Sequence, residues 1–149
     1  MLRILDSERI RLIQEYCLER FGINHEKLEN YRWYIGSKNR IYIGPEELKR
    51  IKPESIGLCV FRLDKTPKPT TNFLQLFGRY VTKNIIVLDD NETINYCSGK
   101  DLNPERELDV VPGFIMVRHK DKFLGCGHWN GSLLKNQIPK SRFCKINFL

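Results

Sequence analysis

The chain has 149 residues, 41% hydrophobic and 11% aromatic, with 25 Lys and Arg against 18 Asp and Glu for a formal net charge of +7. That length fits one domain, or two small ones sharing an interface, and the apolar content suffices for a buried core. No apolar run approaches the roughly 20 residues that cross a bilayer, and the N-terminal residues lack the apolar stretch and cleavage site of a secretory signal, so an intracellular, cytoplasmic protein is expected.

Asp6 and Ser7 are good helix N-caps, Ile10, Ile13, Cys17 and Phe21 recur at helical spacing, and Gly22 suits the residue just past a helix end. An amphipathic helix is predicted over residues 7–21, with its stripe in the core. Residues 31–35 and 40–43 are alternating aromatic and β-branched runs joined by Gly36-Ser37-Lys38-Asn39, a hairpin signal. Its aromatics either pack under the first helix or stay exposed and stack on bases. Gly44, Pro45 and Glu46-Glu47 begin a second helix that stops at Pro53. Residues 56–63 read as a buried strand emerging into a loop, where Pro67 and Pro69 fix the backbone and Lys65 and Lys68 are presented. Residues 72–77 are helical, capped by Thr70 or Thr71 and ended at Gly78.

The second half starts with a strand at 85–88, a cap at Asp89-Asp90-Asn91 and a short helix over 92–97 that ends at Gly99. After an acidic connection comes a β-hairpin over 112–127: a strand at 114–117, the charged turn His119-Lys120-Asp121-Lys122, and a strand closing in Gly125-Cys126-Gly127. Those two glycines supply positive φ, close approach of another backbone, or a bulge. Asn130-Gly131 is a turn, and residues 143–148 alternate like a last strand. Short strands around one small helix indicate a compact β-barrel.

Charge is unevenly distributed. Residues 57–83 hold Arg62, Lys65, Lys68, Arg79 and Lys83 against Asp64 alone; residues 89–109 are strongly acidic; residues 110–149 hold seven basic residues and one acid. If the two basic segments share a face, they form a phosphate-binding surface; otherwise they are dispersed and solvated. The five cysteines, Cys17, Cys59, Cys97, Cys126 and Cys144, are scattered, odd in number and never spaced as CxxC, which favours reduced, buried thiols over a disulfide framework. Cys126 and His128 could share one side of a strand, but no second ligand pair accompanies them, and neither metal nor cofactor is expected.

Several of these stretches together resemble a known family. The 85–88 strand, the helix ending in Ser98-Gly99-Lys100-Asp101-Leu102, the Pro112-to-Val117 strand and Phe123-Leu124-Gly125-Cys126-Gly127 are similar to the succession in PUA domains, the RNA-binding fold of pseudouridine synthases and archaeosine transglycosylases. The first half, with Arg40–Ile43, the 57–63 strand and the loop and helix over 65–77, resembles the pre-PUA domain of small ribosome-biogenesis proteins. Thr70–Gly78 and Asn136–Arg142 further resemble small archaeal PUA proteins related to the Nol/Nop/Sun RNA cytosine methyltransferases. The resemblance implies an α+β fold, an N-terminal α/β pre-PUA domain over 1–82 packed on a PUA pseudo-barrel over 83–149. It further implies non-catalytic binding of structured ribosomal or transfer RNA in RNA modification or ribosome biogenesis. By position, Lys135, Lys140 and Arg142 would touch phosphate, Lys65 and Lys68 would extend the surface onto the first half, Lys83 and Lys100 would add to it, and Gly125 and Gly127 would let RNA approach the backbone.

Two rival readings remain. An RNA methyltransferase needs a glycine-rich cofactor loop and, for cytosine-5 chemistry, a cysteine nucleophile in its own context; neither is found, and Cys126 beside His128 reads as structural. An adaptor would recruit a separate RNA-modifying enzyme, such as an RNA cytosine methyltransferase, or a pre-ribosomal particle, through the exposed face of the N-terminal half.

Overall fold

A computed structural model describes residues 2–44 and 58–145. The helix expected after its cap Gly44, from Pro45 to Pro53, the first residues of the 56–63 strand and residues 146–148 of the last strand lie outside the described residues.

Helix α1 (Ser7–Phe21) forms as expected and ends at Gly22, whose φ of 69° is the left-handed value that glycine takes without a Cβ penalty. Its buried residues are Ile13, Cys17 and Phe21. They cover an antiparallel sheet of β1 (Arg3–Ile4), β2 (Arg32–Ile35), β3 (Arg40–Gly44), β4 (Leu58–Leu63) and β5 (Pro67–Pro69), in that order. In the β2–β3 hairpin Trp33 belongs to the core beneath α1, its indole N–H donating to Leu28 O at 3.1 Å; Tyr34 is buried too, while Tyr31 and Tyr42 are half-buried.

The stretch read as a proline-stiffened loop is instead strand β5, pairing Arg62 with Lys68 and Leu63 with Pro67. Prolines are tolerated there because β5 is an edge strand whose outer side needs no donor. Helix α2 (Thr71–Phe77) follows, capped by the Thr70 hydroxyl, which accepts from Phe73 N. Phe73 is fully buried and sits 4.6 Å, edge to face, from Phe61, so α2 is nailed to β4 by aromatic packing.

The second sheet runs β6 (Ile85–Val87), β7 (Gly113–His119), β8 (Lys122–Trp129), β9 (Leu134–Asn136), with β6 parallel to β7 and the rest antiparallel. Helix α3 (Asp90–Cys97) starts with a capping box between Asp89 and Glu92. Both faces of this sheet are covered. Ile115 and Val117 face a cluster with Ile86, Tyr96 and Leu134. Met116 and Cys126, on the opposite face, belong to the large core that also holds Phe21, Phe61 and Phe73. The two halves therefore share one core, and the Thr71 hydroxyl accepts from Cys126 N at 3.1 Å across it.

Gly125 and Gly127 are both buried in β8. A Cβ on Gly127 would lie 2.6 Å from Leu134 Cδ1 and 2.9 Å from Tyr96 Oη; one on Gly125, where φ is +148°, would lie 2.8 Å from Thr71 Oγ1. The close approach these glycines permit is thus made by the protein's own side chains, which removes them from the RNA-facing set. Gly127→Ala is expected to destabilise the fold by about 1–3 kcal/mol through overpacking, read as a lower denaturant midpoint, whereas an unchanged midpoint would show slack at this contact.

Residues 143–145 do not form the expected strand. A 3-10 turn at Lys140–Arg142 directs the chain onto the end of α3, where Cys144 N donates to Cys97 O at 2.8 Å and the Phe143 ring covers Gly99. Among the described residues no helix is long and apolar enough to cross a membrane.

Candidate nucleic-acid interface

The seam between the halves begins at the C-terminal end of α1. A helix leaves its last carbonyls without partners, and here the connecting segment supplies them: Thr82 N donates to Phe21 O at 2.8 Å and Asn84 Nδ2 to Arg20 O at 2.6 Å. Asn84 adopts φ 58°, a left-handed conformation that asparagine accepts more readily than most residues. Its other amide atom, Oδ1, accepts from Val111 N at 3.0 Å. One side chain thereby joins α1, β6 and the entry to β7.

Arg20 reinforces the join. Its guanidinium donates to the carbonyls of Val111 (2.6 Å) and Pro112 (3.3 Å), and its Nε to Phe114 O. Carbonyls do not neutralise the charge, and no acid pairs with Arg20 among the described residues. Beside it lies a cavity of about 510 Å³ lined by Tyr16, Glu19, Arg20, Lys83, Asn84, Asp109 and Val111. Burial holds the Tyr16 phenol well above its ordinary value.

Phe114, His128 and Lys135 occupy directly opposed positions on β7, β8 and β9. His128 meets Phe114 edge to face at 4.9 Å. Burial lowers the His128 pKa, and the nearby charges of Arg20 and then Lys135 lower it further. Two cations from different halves therefore press on one imidazole. The unfolded chain binds that proton more readily, so stability contributed by the neutral ring is present above the unfolded value of about 6.5 and falls as pH drops through it. In an NMR titration, Lys135→Gln is expected to move the His128 midpoint upward; an unmoved midpoint would mean that Lys135 does not act on the ring.

Of the residues proposed from sequence, Lys83 lines the cavity beside Arg20, and Lys135 stands opposite His128, the ring that Arg20 also acts on. Arg142 reaches back to α2, donating to Gln75 Oε1 at 3.2 Å, while Gln75 Nε2 donates to Leu124 O; Lys140 stands exposed in the same 3-10 turn. Lys68 is partly engaged, because Asp64 holds it at 3.0 Å and also Arg62 at 3.3 Å. The hydrogen bond from Lys68 holds the Asp64 carboxyl below its usual value. Lys65 is exposed on the same hairpin. Lys100 is exposed at the end of α3, and its carbonyl accepts from Asn136 Nδ2. Arg20 was not singled out from sequence. A basic residue in a last helical turn is an ordinary helix-dipole partner, and nothing local marks contacts with residues more than ninety positions downstream.

Cys17, Cys97 and Cys126 are buried, Cys59 is half-buried and Cys144 is exposed. Burial alone pushes Cys126 far up, and its Sγ lies 3.6 Å from Pro69 O; burial and then the neighbouring Cys144 push Cys97 up to about 11. Neither is a ready nucleophile at neutral pH. Among the described residues no group of three metal-ligating side chains occurs.

The stretch that holds this parallel strand, the capped helix, the long antiparallel hairpin and the short edge strand, residues 83–143, matches the family model of the methyltransferase RsmF PUA domain. Residues 83–143 are thus similar to the PUA domain of an RNA methyltransferase family. It is 33% identical over 64 residues to the ribosomal RNA small subunit methyltransferase F of Aeromonas salmonicida (strain A449), a match covering 43% of this chain and 13% of that protein. To the protein of the same name from Aeromonas hydrophila subsp. hydrophila it is 24% identical over 111 residues, 71% of this chain and 23% of that protein. The second match extends beyond the PUA domain, and in both cases the chain spans less than a quarter of the relative.

Proposed function

We propose that this protein is a non-catalytic, cytoplasmic RNA-binding protein of the PUA type that acts on structured ribosomal or transfer RNA during RNA modification or ribosome biogenesis. The observation that carries this reading is that Arg20 shares a cavity with Lys83 and, with Lys135 opposite it on β9, bears on His128. Glu19 and Asp109 also line the cavity, but none of the three cations forms an ion pair among the described residues. Phosphate would relieve their mutual repulsion and that of His128. Lys140 and Arg142 extend the surface along the tail, Lys65 and Lys68 along the β4–β5 hairpin, and Lys100 flanks it. We take residues 1–82 and 83–149 as the two domain units, docked through the shared core. RNA affinity across a salt series tests the reading: steep salt dependence that weakens on removing Lys83 and Lys135 supports it, and no measurable binding of structured RNA overturns it.

A second reading is favoured by the relatives, in which the matched stretch is a minor part of a protein named as a ribosomal RNA methyltransferase. In that reading the chain is an adaptor that delivers RNA to a separately encoded modifying enzyme or pre-ribosomal particle. A stable partner co-purifying with the chain after nuclease treatment would favour it over RNA binding alone.

A further inference from the structure

Around one tyrosine on the N-terminal half gather two cations, Lys27 and Arg79, that the surface described above does not include. Lys27 Nζ stands 5.1 Å and Arg79 Cζ 4.8 Å from the centroid of the Tyr80 ring. Lys27 ends the 3-10 turn that follows α1, and Arg79 and Tyr80 lie in the 3-10 turn Gly78–Tyr80 that follows α2. Packing of the two helices thus brings the turns together. The ring is half-buried and leans on Phe77, which fixes its plane, while Lys27 and Arg79 are exposed. Three residues on, Lys83 returns to the end of α1: its Cγ lies 3.7 Å from where a Gly22 Cβ would sit.

None of these three cations has an acidic partner among the described residues, whereas Arg9 is paired with Asp6, Arg62 and Lys68 with Asp64, and Arg106 with Glu92. The nearest acids by sequence and cavity are Glu26, Glu19 and Asp109, and none forms an ion pair with them. A flat ring with cations over it, open at the surface, matches a nucleotide strand: phosphates meet the charges and a base can stack on the Arg79–Tyr80 plane.

We propose that Lys27, Arg79, Tyr80 and Lys83 form a second RNA-contacting patch, so that one strand runs from the PUA sheet at Lys135 across the seam and onto the N-terminal half. This rests on the RNA-binding reading above. The shared core holds the two surfaces in fixed register, so the path needs no interdomain rearrangement.

The test uses the full chain and a fluorescein-labelled RNA stem-loop carrying a single-stranded uridine tail. Lys27→Gln/Arg79→Gln is expected to weaken binding about tenfold at low salt and to lower the slope of log affinity against log salt by about 1.4, two contacts at the single-strand value. Tyr80→Leu should weaken binding while leaving that slope unchanged, because it removes a stacking surface and no charge; Tyr80→Phe should bind like the native chain. With 4-thiouridine in the tail, photo-cross-links should map to residues 78–83 as well as to the PUA half. Unchanged affinity and slope in the Lys27/Arg79 variant, or cross-links confined to residues 113–145, would overturn the patch while leaving PUA-type RNA binding in place. Failure of the native chain to bind the probe at all would overturn both.

Discussion

Replacing Asn84 by alanine is expected to destabilise the protein by about 3 kcal/mol, the sum of two buried or half-buried groups left unpaired and the loss of the side chain that tolerates a left-handed backbone best after glycine. The groups are Arg20 O, at the end of α1, and Val111 N, at the entry to β7. For a domain of this size that corresponds to a melting temperature lower by roughly 10 °C. Asn84→Gly loses the same two hydrogen bonds but accepts φ 58° freely, so it should recover about 1 kcal/mol relative to alanine. Hydrogen exchange locates the damage: the amides of Thr82 and Val111 should lose protection before those of β3 and β4, which are held within the first sheet. If alanine and glycine variants melt together within a degree of the native chain, Asn84 is not the joint described here.

Lys83→Ala/Lys135→Ala should produce the largest change in RNA binding from any two PUA-side substitutions. Each neutralised phosphate contributes roughly 0.7–0.9 to the salt slope, so removing two lowers it by about 1.5. The affinity loss should be greatest at low ionic strength and shrink as salt rises, because screening weakens the native contacts too. Lys68→Ala provides an internal comparison. That ammonium already faces Asp64 at 3.0 Å, so its loss should cost less than the loss of either seam lysine. Equal effects at Lys68 and Lys135, or a slope insensitive to both, would remove the seam as the site of phosphate contact. Both seam lysines are exposed, so circular dichroism and melting should confirm an unaltered fold.

The local grammar of the chain carried a good part of this architecture. The spacing of Ile13, Cys17 and Phe21 before Gly22 defines α1, Thr70 and Asp89 mark the starts of α2 and α3, and the charged turn after β7 defines the central hairpin. Such signals are readable because they depend on neighbours a few residues apart. The β5 strand was not readable. Two prolines in three residues look like a loop until the sheet order shows that their missing N–H groups fall on an outer edge. At Gly125 and Gly127 the sequence signals positive φ or close approach of another backbone, but it cannot say that the side chains of Thr71, Tyr96 and Leu134 occupy that space.

The candidate site divides in the same way. Composition and segment charge by themselves determined that the chain is basic at both flanks and suited to an anionic partner, and the order of short motifs determined a PUA-like second half. Only the tertiary structure decided which cations are paired and which lie near one another. Asp64 draws off Lys68 and Arg62, Arg142 is turned toward Gln75, and Arg20, which sequence leaves anonymous, shares a cavity with Lys83 and acts with Lys135 on His128. The reason is physical: net charge is a sum over the chain, whereas an electrostatic site depends on distances of a few ångströms between residues a hundred positions apart, and those distances are set by how α1 docks on the PUA sheet through a core that both halves share.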